Sequence, residues 1–236
     1  MKMVERMSFA LAEHEAMTFE TDGAVRRRGA LCASNLQELE DIVAELPPDQ
    51  AGIRLHGIPA LRPLLGSSGA VGRIAASALG DACRPVRAIL FDKTASTNWG
   101  LPWHQDRTIA VARRVEVPGF GPWSVKSGLL HVAPPPDLLA GMVTLRVHLD
   151  PVPESNAPLL ILPGSHRLGL IPESELKSVV QKYGCAVCLA EAGDVWLYST
   201  PIVHSSEAAC DPVHRRVLQV DFAVGDLPGG LTWLGI

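Results

Sequence analysis

Concentrated charge is what this sequence lacks. Its 21 Lys and Arg stand against 25 Asp and Glu over 236 residues, a net charge of −4 spread along the chain. That excludes the basic footprint of a nucleic-acid binder and the polybasic patch of a membrane-surface protein. No apolar run approaches the roughly 18 residues a membrane helix needs. Residues 1–16 contain acidic side chains and lack the basic-then-apolar layout of a secretory signal. Cysteine is scarce and odd in number, five in all, which reads as reduced thiols of a cytoplasmic protein rather than a disulfide framework. Cys185 and Cys188 have no second pair to complete a zinc site, and no G-x-S-x-G nucleophile elbow occurs. The glycine-rich stretch 66–72 lacks phosphate-loop spacing and follows no clear strand. Apolar residues, by contrast, are plentiful. At 47% hydrophobic against 19% charged, the chain can fold around a substantial core, and a small molecule is the partner that fits such a protein.

Hydrophobic periodicity changes near residue 85. Residues 35–46 place Leu36, Leu39, Ile42, Val43 and Leu46 on one helical face, Ser34 and Gln37 have capping-box spacing, and Pro47 and Pro48 end the run. A second helix is predicted within 71–79. Beyond 85 the pattern becomes short extended runs separated by Gly and Pro, at 86–93, 108–117, 142–150, 159–162, 186–189, 194–198 and 216–224. Many short strands with turns between them imply a sandwich or barrel. No repeat or linker interrupts the chain, so the expectation is one domain, 1–236, in which a mainly helical segment 1–84 buttresses a β core of 85–236.

Of eight histidines, His14 and His56 fall in the helical part and read as ordinary surface or satisfied residues. The segment Trp103-His104-Gln105-Asp106 differs. If it opens a strand, His104 and Asp106 project from one face and offer two neighbouring metal ligands. His204, about a hundred residues on, supplies a third. Two imidazoles and one carboxylate with open positions suit a non-haem Fe(II) oxygenase, and zinc is the competing metal. Arg215 follows across a turn. In a hairpin folded near Ala209 and Cys210 it would lie opposite His204, where a guanidinium fork could hold the far carboxylate of a cosubstrate whose other end chelates the metal. Arg216, on the opposite face with Leu218, Val220 and Phe222, is the rival; Arg215 shares its side with Val217 and Gln219.

In this order and spacing, Trp103-His104-Gln105-Asp106, then Pro163-Gly164-Ser165-His166, Gly193-Asp194, His204-x-Ser206 and Arg215 resemble the phytanoyl-CoA dioxygenase family of Fe(II)/2-oxoglutarate oxygenases. The resemblance runs from about residue 85 to the C-terminus. It implies a mainly β fold with N-terminal helices, a double-stranded β-helix of the jelly-roll, cupin-like type. His104, Asp106 and His204 match the family's iron ligands, Arg215 its partner for the distal carboxylate of 2-oxoglutarate, and Ser206 an assisting hydroxyl. The implied activity uses Fe(II), 2-oxoglutarate and O2, releasing succinate and CO2 while hydroxylating a small-molecule substrate. Relatives that halogenate carry a small residue where Asp106 stands, so the carboxylate favours oxygen insertion. Where the family often shows Asn-Gly before its Pro-Gly-Ser-His turn, this chain has Asn156-Ala157-Pro158. A metal-binding cupin-like barrel without catalysis and a zinc-dependent hydrolase are the alternatives.

Further candidates come from alternation. Over 142–150, Val143, Leu145, Val147 and Leu149 form one face and Thr144, Arg146, His148 and Asp150 the other, so Arg146 points either into the lumen toward an anion or out to water. Lys93, on the face of Ile89 and Phe91, is a candidate for the barrel mouth, with Asn98 and Trp99 in the loop over it. Trp103 and Trp123 are candidates for an apolar pocket wall or plain core.

Overall fold

The computed structural model describes residues 17–47 and 50–236. His14, Pro48 and the proposed absence of a signal segment in 1–16 lie outside the described residues. Six helices form among those described: α1 (Phe19–Asp22), α2 (Ala33–Ala44), α3 (Arg62–Leu65), α4 (Gly72–Leu79), α5 (Pro136–Ala140) and α6 (Leu176–Tyr183). The strands in chain order are β1 (Ala24–Arg27), β2 (Gly52–Leu55), β3 (Cys83–Lys93), β4 (Leu101–His104), β5 (Ile109–Ala110), β6 (Trp123–Lys126) and β7 (Leu129–Val132). They continue with β8 (Val143–His148), β9 (Leu159–Ile161), β10 (Ala186–Cys188), β11 (Val195–Ser199), β12 (His204–Ser206) and β13 (Arg215–Val224).

A six-stranded major sheet runs β1-β11-β8-β13-β3-β2, a four-stranded minor sheet runs β10-β9-β12-β4, and β5-β7-β6 form a small third sheet, all antiparallel. This is the jelly-roll architecture, mainly β, with α2, α3 and α4 covering the outer face of the major sheet and α6 packed beside β4 of the minor sheet. No helix among the described residues is long and apolar enough to cross a membrane.

Alternation on the major sheet decides what each of its faces does. Val143, Leu145, Val147, Leu218, Val220 and Phe222 point outward and bury against Leu39, Val43, Leu61, Leu65 and Ala75 of the helical segment, the largest apolar cluster. At about 25 cal/mol per Å² of apolar surface, this layer is the largest of the four apolar clusters that stabilise the fold. The opposite face looks toward the minor sheet. Half of that interior is apolar, around Ile161, Ala186, Trp196, Tyr198 and Ile202. The other half is lined by Arg87, Lys93, Thr144, Arg146, Arg215, Gln219 and Asp221, all buried.

The N-terminal segment is less purely helical than predicted. β1 pairs with β11 and β2 with β3, so this segment supplies both edge strands of the major sheet as well as its helical cover. α2 starts at Ala33 without the Ser34–Gln37 capping box: its N-cap is Cys32, with no side-chain cap bond, and Gln37 bonds Asp41 instead. The run 108–117 yields only the two-residue β5, after which Val111 makes an isolated bridge to Trp233. All five cysteines are unpaired; Cys188 is buried in the apolar cluster between the sheets.

Candidate active site

His104 is the last residue of β4 rather than the second of a longer strand, and Asp106 follows in irregular chain. β4 pairs with β12, and the register sets His204 directly opposite His104, with ring centroids 4.2 Å apart. Each imidazole Nδ1 faces a backbone carbonyl two residues earlier, Pro102 O at 2.8 Å for His104 and Ile202 O at 2.9 Å for His204. A carbonyl only accepts, so both Nδ1 atoms carry the proton and both Nε2 lone pairs are left for a ligand. Burial, reinforced by neighbouring His104, pushes His204 down to about 4, so it is neutral at physiological pH.

Asp106 opens onto the same cavity as the two histidines. Burial pushes its carboxyl up, but Arg87, His204, His104 and Lys126 together outweigh this and hold it at about 2. Its Oδ2 accepts from Arg87 Nη2 at 3.1 Å and from Gln219 Nε2 at 3.4 Å. Arg87 also donates to Asp221, whose other oxygen accepts from Thr144 Oγ1 at 3.0 Å. As placed, no three His, Cys, Asp or Glu side chains among the described residues converge closely enough to hold an ion. The donor chemistry nevertheless fits Fe(II): two imidazoles whose Nδ1 atoms face carbonyls, leaving Nε2 for a ligand, and one ionised carboxylate whose Oδ1 is uncommitted.

The cavity encloses about 300 Å³, and its other wall is cationic. Lys93, Arg146 and Arg215 reach it from β3, β8 and β13. Lys93 donates to Ser206 Oγ at 3.0 Å and Glu207 O at 2.7 Å, and its ammonium lies 4.9 Å from the Trp99 ring centroid. Burial, with Arg215 and Arg146 close by, depresses Lys93 to about 7; burial and Arg146 depress Arg215 to about 9. Arg215 donates to Ala157 O, and Arg146 Nη1 to Gln219 Oε1 at 3.0 Å. The Nε atoms of Arg146 and Arg215 are both buried without a partner. Two orphaned guanidinium nitrogens in a cation-crowded cavity are an observation an anionic ligand would explain.

Several sequence expectations are corrected here. His204 and Arg215 are not hairpin partners: β12 belongs to the minor sheet and β13 to the major, and they meet only because the sheets face one another. Arg215 turns into the cavity, whereas Arg216 points away to Asp150 and Glu40. Arg146 faces the lumen, not water. Asn98 does not line the cavity; its amide bonds both the N–H and the carbonyl of Ala209, tying two loops together. Trp123 packs into the cluster around the third sheet, while Trp103 lines a second cavity beside the first. Sequence reasoning passed over Arg87, Arg54, Lys126 and Asp221. Arg87 was findable, because 87, 89, 91 and 93 alternate onto one face, as do 215, 217, 219 and 221.

The model of the phytanoyl-CoA dioxygenase family matches residues 19–217. No curated protein matches the chain. Among solved structures, EctD from S. alaskensis with bound Fe superposes with a TM-score of 0.65 at 18% identity, covering 92% of this chain and 78% of EctD. AviO1 from Streptomyces viridochromogenes Tue57 gives 0.61 at 20% identity over 89% of this chain and 93% of its own. HygX from Streptomyces hygroscopicus with nickel and 2-oxoglutarate bound gives 0.58 at 14% identity, over 87% and 84%. At such identities the likeness establishes the fold.

Proposed function

Because this chain belongs to the phytanoyl-CoA dioxygenase family, we propose that it is an Fe(II)- and 2-oxoglutarate-dependent dioxygenase that hydroxylates a small molecule, with succinate and CO2 as coproducts. One observation carries the reading. The cavity is divided between a donor set of two Nε2-presenting imidazoles and a carboxylate on one side and a cluster of buried, under-satisfied cations on the other.

His104, His204 and Asp106 would hold the iron. When bound, iron supplies the redox chemistry that couples decarboxylation of 2-oxoglutarate to insertion of one oxygen atom into the substrate. Arg215 takes the distal carboxylate of 2-oxoglutarate, assisted by Lys93 and by Ser206, which Lys93 already holds in place. Arg146 lies on the same wall with its Nε available to the cosubstrate. Ile89, Phe91 and Leu159 exclude water, which strengthens each of these charge contacts. Arg87, held by Asp221, keeps Asp106 ionised and anchors Oδ2, so that Oδ1 would be free for the metal. Five unpaired cysteines suit a reducing, cytoplasmic setting.

The test is succinate formation from 2-oxoglutarate by the purified chain loaded anaerobically with Fe(II) and then given air. We expect slow turnover even without a substrate, and its loss in Asp106→Ala. Wild-type turnover in that variant would remove Asp106 from the site. Absence of succinate from the wild type, with metal bound, would instead leave a non-catalytic metal-binding barrel.

A further inference from the structure

The cavity holds more positive charge than one cosubstrate needs. Six cationic side chains line it against a single carboxylate, Asp106. Arg87 is neutralised by Asp106 and Asp221, and Lys93, Arg146 and Arg215 form the proposed cosubstrate end. Arg54 and Lys126 remain.

These two come from outside the main barrel strands, Arg54 from edge strand β2 and Lys126 from the end of β6. They are brought together where the β6–β7 turn leans over β2. Arg54 Nη1 donates to Ser127 Oγ at 2.8 Å, and Lys126 Nζ donates to Thr108 Oγ1 at 2.9 Å. Both acceptors are neutral hydroxyls, and among the described residues neither cation has a carboxylate within ion-pair distance. Arg54 Nε is buried with no partner. Its Nε–Nη2 edge therefore has no acceptor, and that edge is the fork that grips two oxygens of an acid.

The pair also sits under electrostatic tension. Burial and then Arg87 lower the pKa of Arg54. For Lys126, burial and then Arg87 lower it, Asp106 raises it, and Arg54 lowers it again. An incoming anion relieves that tension. Lys126 further lines the adjoining cavity of about 500 Å³, whose walls include Trp103 and Leu176 and which also reaches His104 and Asp106. The two cavities thus meet at the proposed iron ligands, with Lys126 at their junction.

We propose that Arg54 and Lys126 form a subsite for an acidic group, carboxylate or phosphate, on the substrate to be oxidised, whose remaining body extends past the metal ligands against Trp103 and Leu176. This deepens the oxygenase reading and rests on it. Arg54 fixes the acid through its unpartnered fork, Lys126 adds a point charge, and the two hold the substrate at the Arg87 end of the cavity, away from the Lys93–Arg215 end. A neutral substrate would leave two buried-edge cations and an orphaned Nε uncompensated.

Calorimetric titration of the full chain, presaturated with 2-oxoglutarate, with acetate and separately with inorganic phosphate tests this. One of the two should bind once per chain, and the tighter of them identifies the acid. Affinity should fall at least tenfold in Arg54→Gln and in Lys126→Gln and return in Arg54→Lys and Lys126→Arg. Lys126 is only partly buried at a hairpin end, so its variant keeps the test independent of any folding defect at Arg54. Failure of both anions to bind, or binding unaltered in the two Gln variants, overturns the subsite. Succinate formation by the wild type is measured separately, so a failed oxygenase reading and a failed subsite give different results.

Discussion

Arg215 and Arg216 are neighbours in sequence and live in opposite environments. The first is almost wholly buried against the cavity with an unpartnered Nε; the second reaches Asp150 at 2.7 and 2.9 Å and Glu40 at 2.9 Å on the outer face. Breaking a buried charge pair costs about 3–5 kcal/mol, so Arg215→Ala should raise the 2-oxoglutarate requirement by two to three and a half orders of magnitude, roughly 150- to 4,000-fold. Arg216→Ala should leave that requirement within about twofold and lower stability in urea by about 1–2 kcal/mol. Steady-state succinate assays and urea titrations separate the two, and the reverse pattern would reassign the carboxylate partner to Arg216.

Lys93 carries a pH signature. Burial first, then Arg215 and Arg146, bring it to about 7 in the folded chain against an ordinary 10.5. Between those values the unfolded chain binds more protons, so Lys93 contributes stability that is complete above 10.5 and lost as pH falls through 7. Binding runs the other way. A dianion beside the ammonium restores its proton, so 2-oxoglutarate binding at pH 8 should take up a proton and weaken as pH rises further. Calorimetry in two buffers of different ionisation enthalpy reads the uptake directly. It should disappear in Lys93→Met, and equal apparent enthalpies for the wild type would place Lys93 away from the cosubstrate.

At the scale of elements, α2 shows how the cover and the site divide their work. Leu39 has no exposed surface and packs on the outer face of the major sheet, opposite the cavity. Leu39→Ala should therefore cost about 2–5 kcal/mol, seen as a lower urea midpoint, while the 2-oxoglutarate requirement of the folded fraction stays unchanged. The elements readable from sequence are those with one apolar and one functional face: β8 and β13 alternate cleanly because one face is helix-packed core and the other a polar lumen. β12 was illegible as a strand because it is three polar residues, His204–Ser206, all buried, with His204 and Ser206 facing that lumen. β1 carries Arg26 and Arg27, and Arg26 is held by Asp194; an edge strand tied by an ion pair has no apolar alternation to detect. The 108–117 run misled because its apolar residues serve a loop packed on the C-terminal segment, with Val111 bridging Trp233. The ligand residues stood out as residue types, yet the fact that a sheet-to-sheet meeting, not a hairpin, unites His204 with Arg215 is a property of topology that spacing does not encode.

For the whole molecule, the site's halves belong to different sheets. The proposed metal ligands come from β4, β12 and the chain after β4, whereas Lys93, Arg146 and Arg215 come from β3, β8 and β13 of the major sheet. Across the cavity between these two groups, a direct tie is the Lys93–Ser206 hydrogen bond. A metal alone would cross-link groups on one side, and 2-oxoglutarate alone would engage mainly the cations on the other. Bound together, the cosubstrate spans the gap and its two ends tie the sheets to each other. Each ligand should therefore bind more tightly in the presence of the other by a coupling of about 1–3 kcal/mol, or roughly 5–150-fold. Because ligands that bind only the folded state raise its stability, the melting shift produced by 2-oxoglutarate with Mn(II), a metal that does not turn over, should exceed the sum of the separate shifts. Asp106→Ala should lose both the Mn(II) shift and the excess, while Arg215→Ala should keep the Mn(II) shift and lose only the excess. Strictly additive shifts in the wild type would mean that the two ligands do not share this cavity, and the division of labour between the sheets would have to be redrawn.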